Sequence, residues 1–160
     1  MTCAGCHGET GNSSMEGIPS LAGQPALFVT NQLILMREGV RQIEQMTSFV
    51  KDLTDSEIEA LAAYYSRLVP ERSAESPDPG LAREGARLAA AMRCGTCHLP
   101  TYAGQNQVPR IAKQRVDYLI AAMAAYRGNR RSGSDTSMNA VLYGVRDAEI
   151  TALAHFLAGH

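Results

Sequence analysis

The pentapeptide C-x-x-C-H occurs twice in this chain, as Cys3-Ala4-Gly5-Cys6-His7 and as Cys94-Gly95-Thr96-Cys97-His98. In this spacing two thiols can take up the vinyl groups of one haem while the adjacent histidine ligates its iron. The two motifs use all four cysteines of the sequence. Whatever the chain folds into must therefore present two haem-sized surfaces, Cys3, Cys6 and His7 at one and Cys94, Cys97 and His98 at the other. Two other readings compete. Two disulfides are possible in an exported chain, but a bridge between cysteines three apart is sterically awkward and leaves both histidines unexplained. A single zinc site would have to join cysteine pairs separated by residues 7–93, beyond zinc-ribbon spacing.

The motifs belong to a longer repeat. Cys3 maps to Cys94 with a shift of 91, and Ile18-Pro19-Ser20-Leu21-Ala22-Gly23-Gln24 maps to Val108-Pro109-Arg110-Ile111-Ala112-Lys113-Gln114 with a shift of 90. Met46, Asp55, Glu57, Ile58 and Leu61 then map to Met138, Asp147, Glu149, Ile150 and Leu153 with a shift of 92. Two copies of one domain follow, the first over 1–70 and the second over 80–160. The segment 71–79 between them is rich in proline and has no large apolar side chain, so it reads as an extended, stiff linker. Each half is small enough to have a thin protein core, and only 6% of the residues are aromatic, with no Trp. A covalently held haem would repair that deficit.

Helical signals recur in both halves. Thr54 and Glu57 form a capping-box pattern, and Ile58, Leu61, Ala62, Tyr65 and Leu68 keep helical spacing up to Pro70. Ile150, Leu153, Ala154 and Leu157 repeat the stripe, with Arg146 in place of the capping Thr. Further helices are expected over 25–38 and 115–127. Asp78-Pro79 reads as an N-cap and first helical residue, opening a helix with Leu81, Gly85, Leu88, Ala89 and Met92 on one face. Strand alternation is absent, so the fold class is all-α. The first half has only two residues before its motif where the second has this helix. The expectation is a truncated end and a less well covered first haem.

A histidine fills one axial position of a haem iron, and the other decides between electron transfer and chemistry at the metal. Of seven methionines, Met36, Met92 and Met123 lie in helical stretches and read as core. Met15 lies in a loop, and Met1 is the start. Met46 and Met138 occupy the same place in both repeats and are the expected thioether ligands. His155 and His160 read as packed or surface residues. His/Met coordination saturates the iron and suits an electron carrier of raised potential. A haem enzyme such as a peroxidase needs an open iron site, which Met46 and Met138 disfavour.

These motifs closely resemble those of the dihaem cytochrome c4 family. The resemblance runs over nearly the whole length and is carried by Cys6-His7-Gly8 continuing to Gly11-Asn12-Ser13, by Ile18-Pro19 with Leu21-Ala22-Gly23-Gln24, and by Leu61-Ala62-Ala63-Tyr64-Tyr65. It implies two tandem class I cytochrome c domains, one His/Met haem c in each, the two haems close together at the domain interface. It also implies that the carbonyls of Pro19 and Pro109 accept from the Nδ1 of His7 and His98, orienting each imidazole. Two departures, Gly8 to Leu99 and Gly23 to Lys113, touch the surroundings of the second haem but not its ligands.

The net charge of −1 gives no case for nucleic acid. Residues 1–72 carry five Lys/Arg and nine Asp/Glu, a balance of −4, and residues 73–160 carry ten and seven, a balance of +3. Such a dipole would orient docking with charged redox partners, its ends serving electron entry and exit. Arg127, Arg130 and Arg131 form the densest basic patch, and either one or two of them meet haem propionates or the patch is simply a solvated face. No apolar run is long enough to span a bilayer. A signal peptide is absent from the chain, and because this haem attachment occurs outside the cytoplasmic membrane, an export signal is expected to have been removed, replaced or missed. The expected role is a periplasmic carrier passing single electrons between respiratory partners towards a terminal oxidase. The alternative is an electron-accepting cytochrome subunit of a periplasmic dehydrogenase, such as a flavin-dependent sulfide dehydrogenase.

Overall fold

The computed structural model describes residues 2–73, 75–131 and 136–160. Met1, the start of the chain, and Ala74 of the expected linker lie outside the described residues. The order of helices is α1 Ala4–His7, α2 Ala26–Arg37, α3 Glu44–Val50, α4 Asp55–Arg67, α5 Pro79–Ala91, α6 Gly95–His98, α7 Val116–Arg127, α8 Ser137–Leu142 and α9 Asp147–Gly159. An isolated antiparallel bridge joins Gln105 and Val108. The architecture is all-α.

Each half packs its helices in the same pairs. α2 lies against α4 and α3 in the first half, and α7 lies against α9 and α8 in the second. One buried cluster unites Val29, Leu33, Val50, Ile58 and Ala62. The other runs from Leu88 to Ala158 and is fuller, with Leu119, Met123, Leu142, Ile150, Leu153 and Leu157 among its members. Local chemistry sets the ends of these helices. Thr54 Oγ1 accepts from the Glu57 N–H, while the Glu57 carboxylate accepts from the Thr54 N–H, closing the capping box. Arg146 has no oxygen to offer, so only the returning half survives, Glu149 accepting from the Arg146 N–H at 2.9 Å and pairing with its guanidinium at 2.8 Å. Asp78 caps α5 through the Leu81 N–H, with Pro79 in the first turn. Arg37 and its repeat mate Arg127 do one job twice. Each donates to a loop carbonyl (Leu53, Val145) and to the first acidic residue of the closing helix (Asp55, Asp147). Of the basic patch Arg127, Arg130 and Arg131, Arg127 therefore braces a helix.

The two departures in sequence leave the backbone path unchanged. Gly8 and Leu99 both have positive φ, at 83° and 67°, and so do Gly23 and Lys113, at 66° and 54°. Both sites need the left-handed region, which glycine enters without steric cost and a side chain does not. The bonds match as well. Leu21 and Ala22 N–H donate to the Gly11 carbonyl as Ile111 and Ala112 do to Tyr102, and Gly23 N–H reaches Tyr65 as Lys113 N–H reaches Leu157.

The largest helix contact is α5 on α9. It is close because Gly85 has no side chain. A Cβ there would stand 2.1 Å from the Ala152 carbonyl oxygen and 2.7 Å from Phe156 Cβ. The segment before α5 is held at several points. Glu75 accepts from Val116 N–H and pairs with Arg115, and Asp78 N–H donates to His155 Nδ1. His155 is thus a tie to the linker. His160 packs its ring on Tyr102 and Phe156.

Candidate haem sites

Both histidines are buried, and each lies in the last turn of a one-turn helix that opens at the first motif cysteine. His7 Nδ1 is 2.8 Å from the Pro19 carbonyl oxygen, and His98 Nδ1 is 2.9 Å from that of Pro109. A carbonyl only accepts, so Nδ1 carries the proton and the lone pair sits on Nε2. Burial, partly opposed by that hydrogen bond, holds both imidazoles below the usual histidine pKa. A neutral ring with a free Nε2 is what a metal requires of histidine.

All four thiols are free, Cys3 and Cys94 partly buried and Cys6 and Cys97 exposed. The Tyr65 hydroxyl is pushed up to about 12, chiefly by burial and then by the nearby charge of Cys3. Cys94 packs on the second core, and burial raises its thiol above the usual range. Among the described residues no three His, Cys, Asp or Glu side chains converge on a point that could hold a bare ion.

The expected methionine ligands lie on the short helices α3 and α8, which periodicity did not reveal. Met46 packs against the first core and Met138 against the second, each partly exposed. Each helix buries the residue four positions on, Val50 and Leu142, and leaves the residue three positions on exposed, Phe49 and Val141. Residues at these spacings share a face. So the same uncovered apolar edge accompanies the methionine in both halves, as a large planar ligand would require. Met36 and Met92 pack on the cores and Met123 is buried, whereas Met15 is exposed.

A pair of converging arginines adds to the fit. Arg41 and its repeat mate Arg131 come together across the boundary between the halves. Both donate to Gln32 Oε1, at 2.6 Å and 3.3 Å, and Arg131 also donates to the Tyr118 hydroxyl at 3.3 Å and lies over the Tyr126 ring. Burial alone would raise the Tyr118 pKa, but the two guanidiniums outweigh it and leave the phenol below its ordinary value. Arg41 is itself lowered, first by burial and then by the charge of Arg131. Among the described residues neither arginine meets a carboxylate, and the buried Arg131 Nε has no partner. Two converging cations with an orphaned N–H suit the anionic edge of a ligand. The sequence singled out Arg131; Arg41 was legible only as its counterpart at a shift of 90.

Two buried glutamines bind the halves together, and sequence reasoning gave them no role. Gln114 Oε1 accepts from Ser20 N–H at 2.8 Å while its Nε2 donates to the Ser20 carbonyl at 2.9 Å. Gln24 repeats this on Arg110, at 3.0 Å and 2.9 Å. The Arg110 guanidinium spans the equivalent carbonyls of Ala22 and Ala112, and burial brings its pKa down to about 10.

Residues 1–64 match the family model described as cytochrome c oxidase, cbb3-type, subunit III, and residues 82–160 match the model described as cytochrome c. The thiosulfate dehydrogenase electron acceptor of Thiomonas intermedia (strain K12) is 33% identical over 98% of this chain and 77% of its own length. Cytochrome c4 of Thiocapsa roseopersicina is also 33% identical, over 98% of this chain and 86% of its own length. The crystal structure of reduced recombinant cytochrome c4 from Pseudomonas stutzeri superposes with a TM-score of 0.90 at 28% identity, over 99% of this chain and 93% of that one. With two C-x-x-C-H motifs consistent with two haem c groups, the chain belongs to the dihaem cytochrome c4 family and is an electron carrier, not an enzyme.

Proposed function

We propose that the chain is a periplasmic carrier that passes single electrons from a respiratory donor towards a terminal oxidase. In this reading 1–70 and 80–160 are the two domains and 71–79 the linker. Cys3 and Cys6 attach one haem and Cys94 and Cys97 the other, with His7 and Met46 as one axial pair and His98 and Met138 as the second. The observation that carries the reading is the doubled geometry. Each motif histidine spends Nδ1 on a proline carbonyl, and each half adds a methionine on a short helix at the same place. When bound, a haem supplies the one-electron iron couple. The protein holds the imidazoles neutral and oriented through Pro19 and Pro109, and its thioether sulfurs favour the ferrous state. Arg41 and Arg131 offset the propionates. Among the described residues no helix is long and apolar enough to cross a membrane; the periplasmic assignment rests on the family and on where such haems are attached.

The Thiomonas relative favours a second reading of the donor, a periplasmic dehydrogenase that hands this chain the electrons of its substrate. Thiosulfate dehydrogenase and flavin-dependent sulfide dehydrogenase are both donors of that class. Stopped-flow mixing separates the readings. Fast oxidation of the reduced holoprotein by a terminal oxidase supports the first. Fast reduction only by a dehydrogenase with its substrate, in a complex that survives purification, supports the second.

A further inference from the structure

We propose that Gln24 and Gln114 are positioning residues acting across the domain boundary, each setting the reduction potential of the haem held by the opposite half. The inference rests on the reading of His7 and His98 as iron ligands. The peptide between Pro19 and Ser20 is engaged at both ends. Its carbonyl accepts from His7 Nδ1 at 2.8 Å, and its N–H donates to Gln114 Oε1 at 2.8 Å. The peptide between Pro109 and Arg110 is held likewise, by His98 Nδ1 at 2.9 Å and by Gln24 Oε1 at 3.0 Å. All four clamp residues, Ser20, Gln24, Arg110 and Gln114, are no more than 4% exposed.

Hydrogen bonds in such a chain polarise one another, most effectively where water is excluded. An amide whose N–H is bonded carries more negative charge on its oxygen and accepts more strongly. A stronger acceptor draws the Nδ1 proton away and makes the imidazole a better donor, which stabilises ferric iron and lowers the potential. Because each glutamine belongs to the other repeat, the effect crosses over. It is also unequal. Gln114 Oε1 is shared with the Arg115 N–H at 3.0 Å, whereas Arg110 is the only N–H bonded to Gln24 Oε1 among the described residues. Gln24 therefore acts more strongly on the second haem than Gln114 does on the first.

The test is spectroelectrochemical titration of the dihaem protein and its Gln24→Met and Gln114→Met variants, with each haem assigned by its methyl resonances in NMR. Gln24→Met should raise the potential of the second haem and leave the first in place. Gln114→Met should raise the first by less and leave the second. Gln24→Glu keeps the acceptor, adds charge and should move the second haem the opposite way; it gives the same test if a methionine variant fails to hold two haems. With both haems bound and the sulfur-to-iron band at two-site strength, shifts confined to the mutated half, equal shifts in both, or none overturn the proposal. A missing haem or band in the unaltered protein overturns the ligand reading and this inference with it.

Discussion

Helices α4 and α9 are the same element of the repeat, yet they live in different surroundings. Ile58 and Ile150 are both buried, as are Ala62 and Ala154, and Tyr65 and Leu157. That face turns towards its own core and is alike in the two halves. The adjoining face is not. Ala152, Leu153 and Ala158 are buried on α9, which α5 crosses at Gly85, whereas their counterparts Ala60, Leu61 and Ser66 are exposed or half-buried. Tyr64 is 38% exposed where Phe156 is half-buried. The repeat thus keeps its core-facing side constant while the outer side depends on whether a helix lies on it.

The strongest way to break this comparison is to enlarge the same alanine in both halves. Ala152→Leu forces bulk into the crossing that Gly85 keeps tight and should cost about 3 kcal/mol, while Ala60→Leu should stay within about 0.5 kcal/mol. Urea unfolding of the holoprotein gives both numbers, and equal costs would contradict the burial pattern. Next in size, Leu153→Ala should cost about 3 kcal/mol and Leu61→Ala about half as much, because a half-exposed leucine forfeits less contact and leaves a smaller cavity.

Much of this was legible in sequence, for identifiable reasons. α4, α5, α7 and α9 span three or more turns, long enough for an apolar stripe and a cap to be visible. α3 and α8 have seven and six residues, too short for a period, so the methionines were found through the repeat and not through their helices. The family resemblance gave the prolines their expected place beside the histidines. The repeat could not show that Gln24 and Gln114 reach across the boundary, because a polar residue in a loop shows no partner until the halves are assembled. Nor does density of charge in the Arg127, Arg130 and Arg131 patch show which arginine braces a helix, as Arg127 does.

Smaller effects sharpen the same contrast at the helix starts. Thr54→Ala should cost about 1 kcal/mol, since it removes an oxygen that accepts at the cap. Arg146→Ala should cost less, because its side chain never capped. Thermal denaturation of the two variants side by side ranks them. Acid should expose the carboxylate half of each cap. Glu149 is held down to about 2, first by its bond from the Arg146 side chain and then by the Arg146 N–H, and Glu57 is lowered by the Thr54 N–H. Depressed carboxylates contribute stability that is whole above their ordinary value near 4.5 and is lost as pH falls through the folded value. Melting temperature should therefore fall from pH 4.5 towards pH 2. Glu149→Gln should flatten that slope, whereas an unchanged slope would remove Glu149 from the account.

The central claim is that each half holds one haem saturated by histidine and methionine. Its most direct test is the ferric visible spectrum with haem quantitation, read on the intact protein and on Met46→Ala and Met138→Ala. The account predicts two haems per chain and a sulfur-to-iron band that falls by half in either variant. A single haem, or a band already at one-site strength that one of the two substitutions leaves untouched, would contradict it.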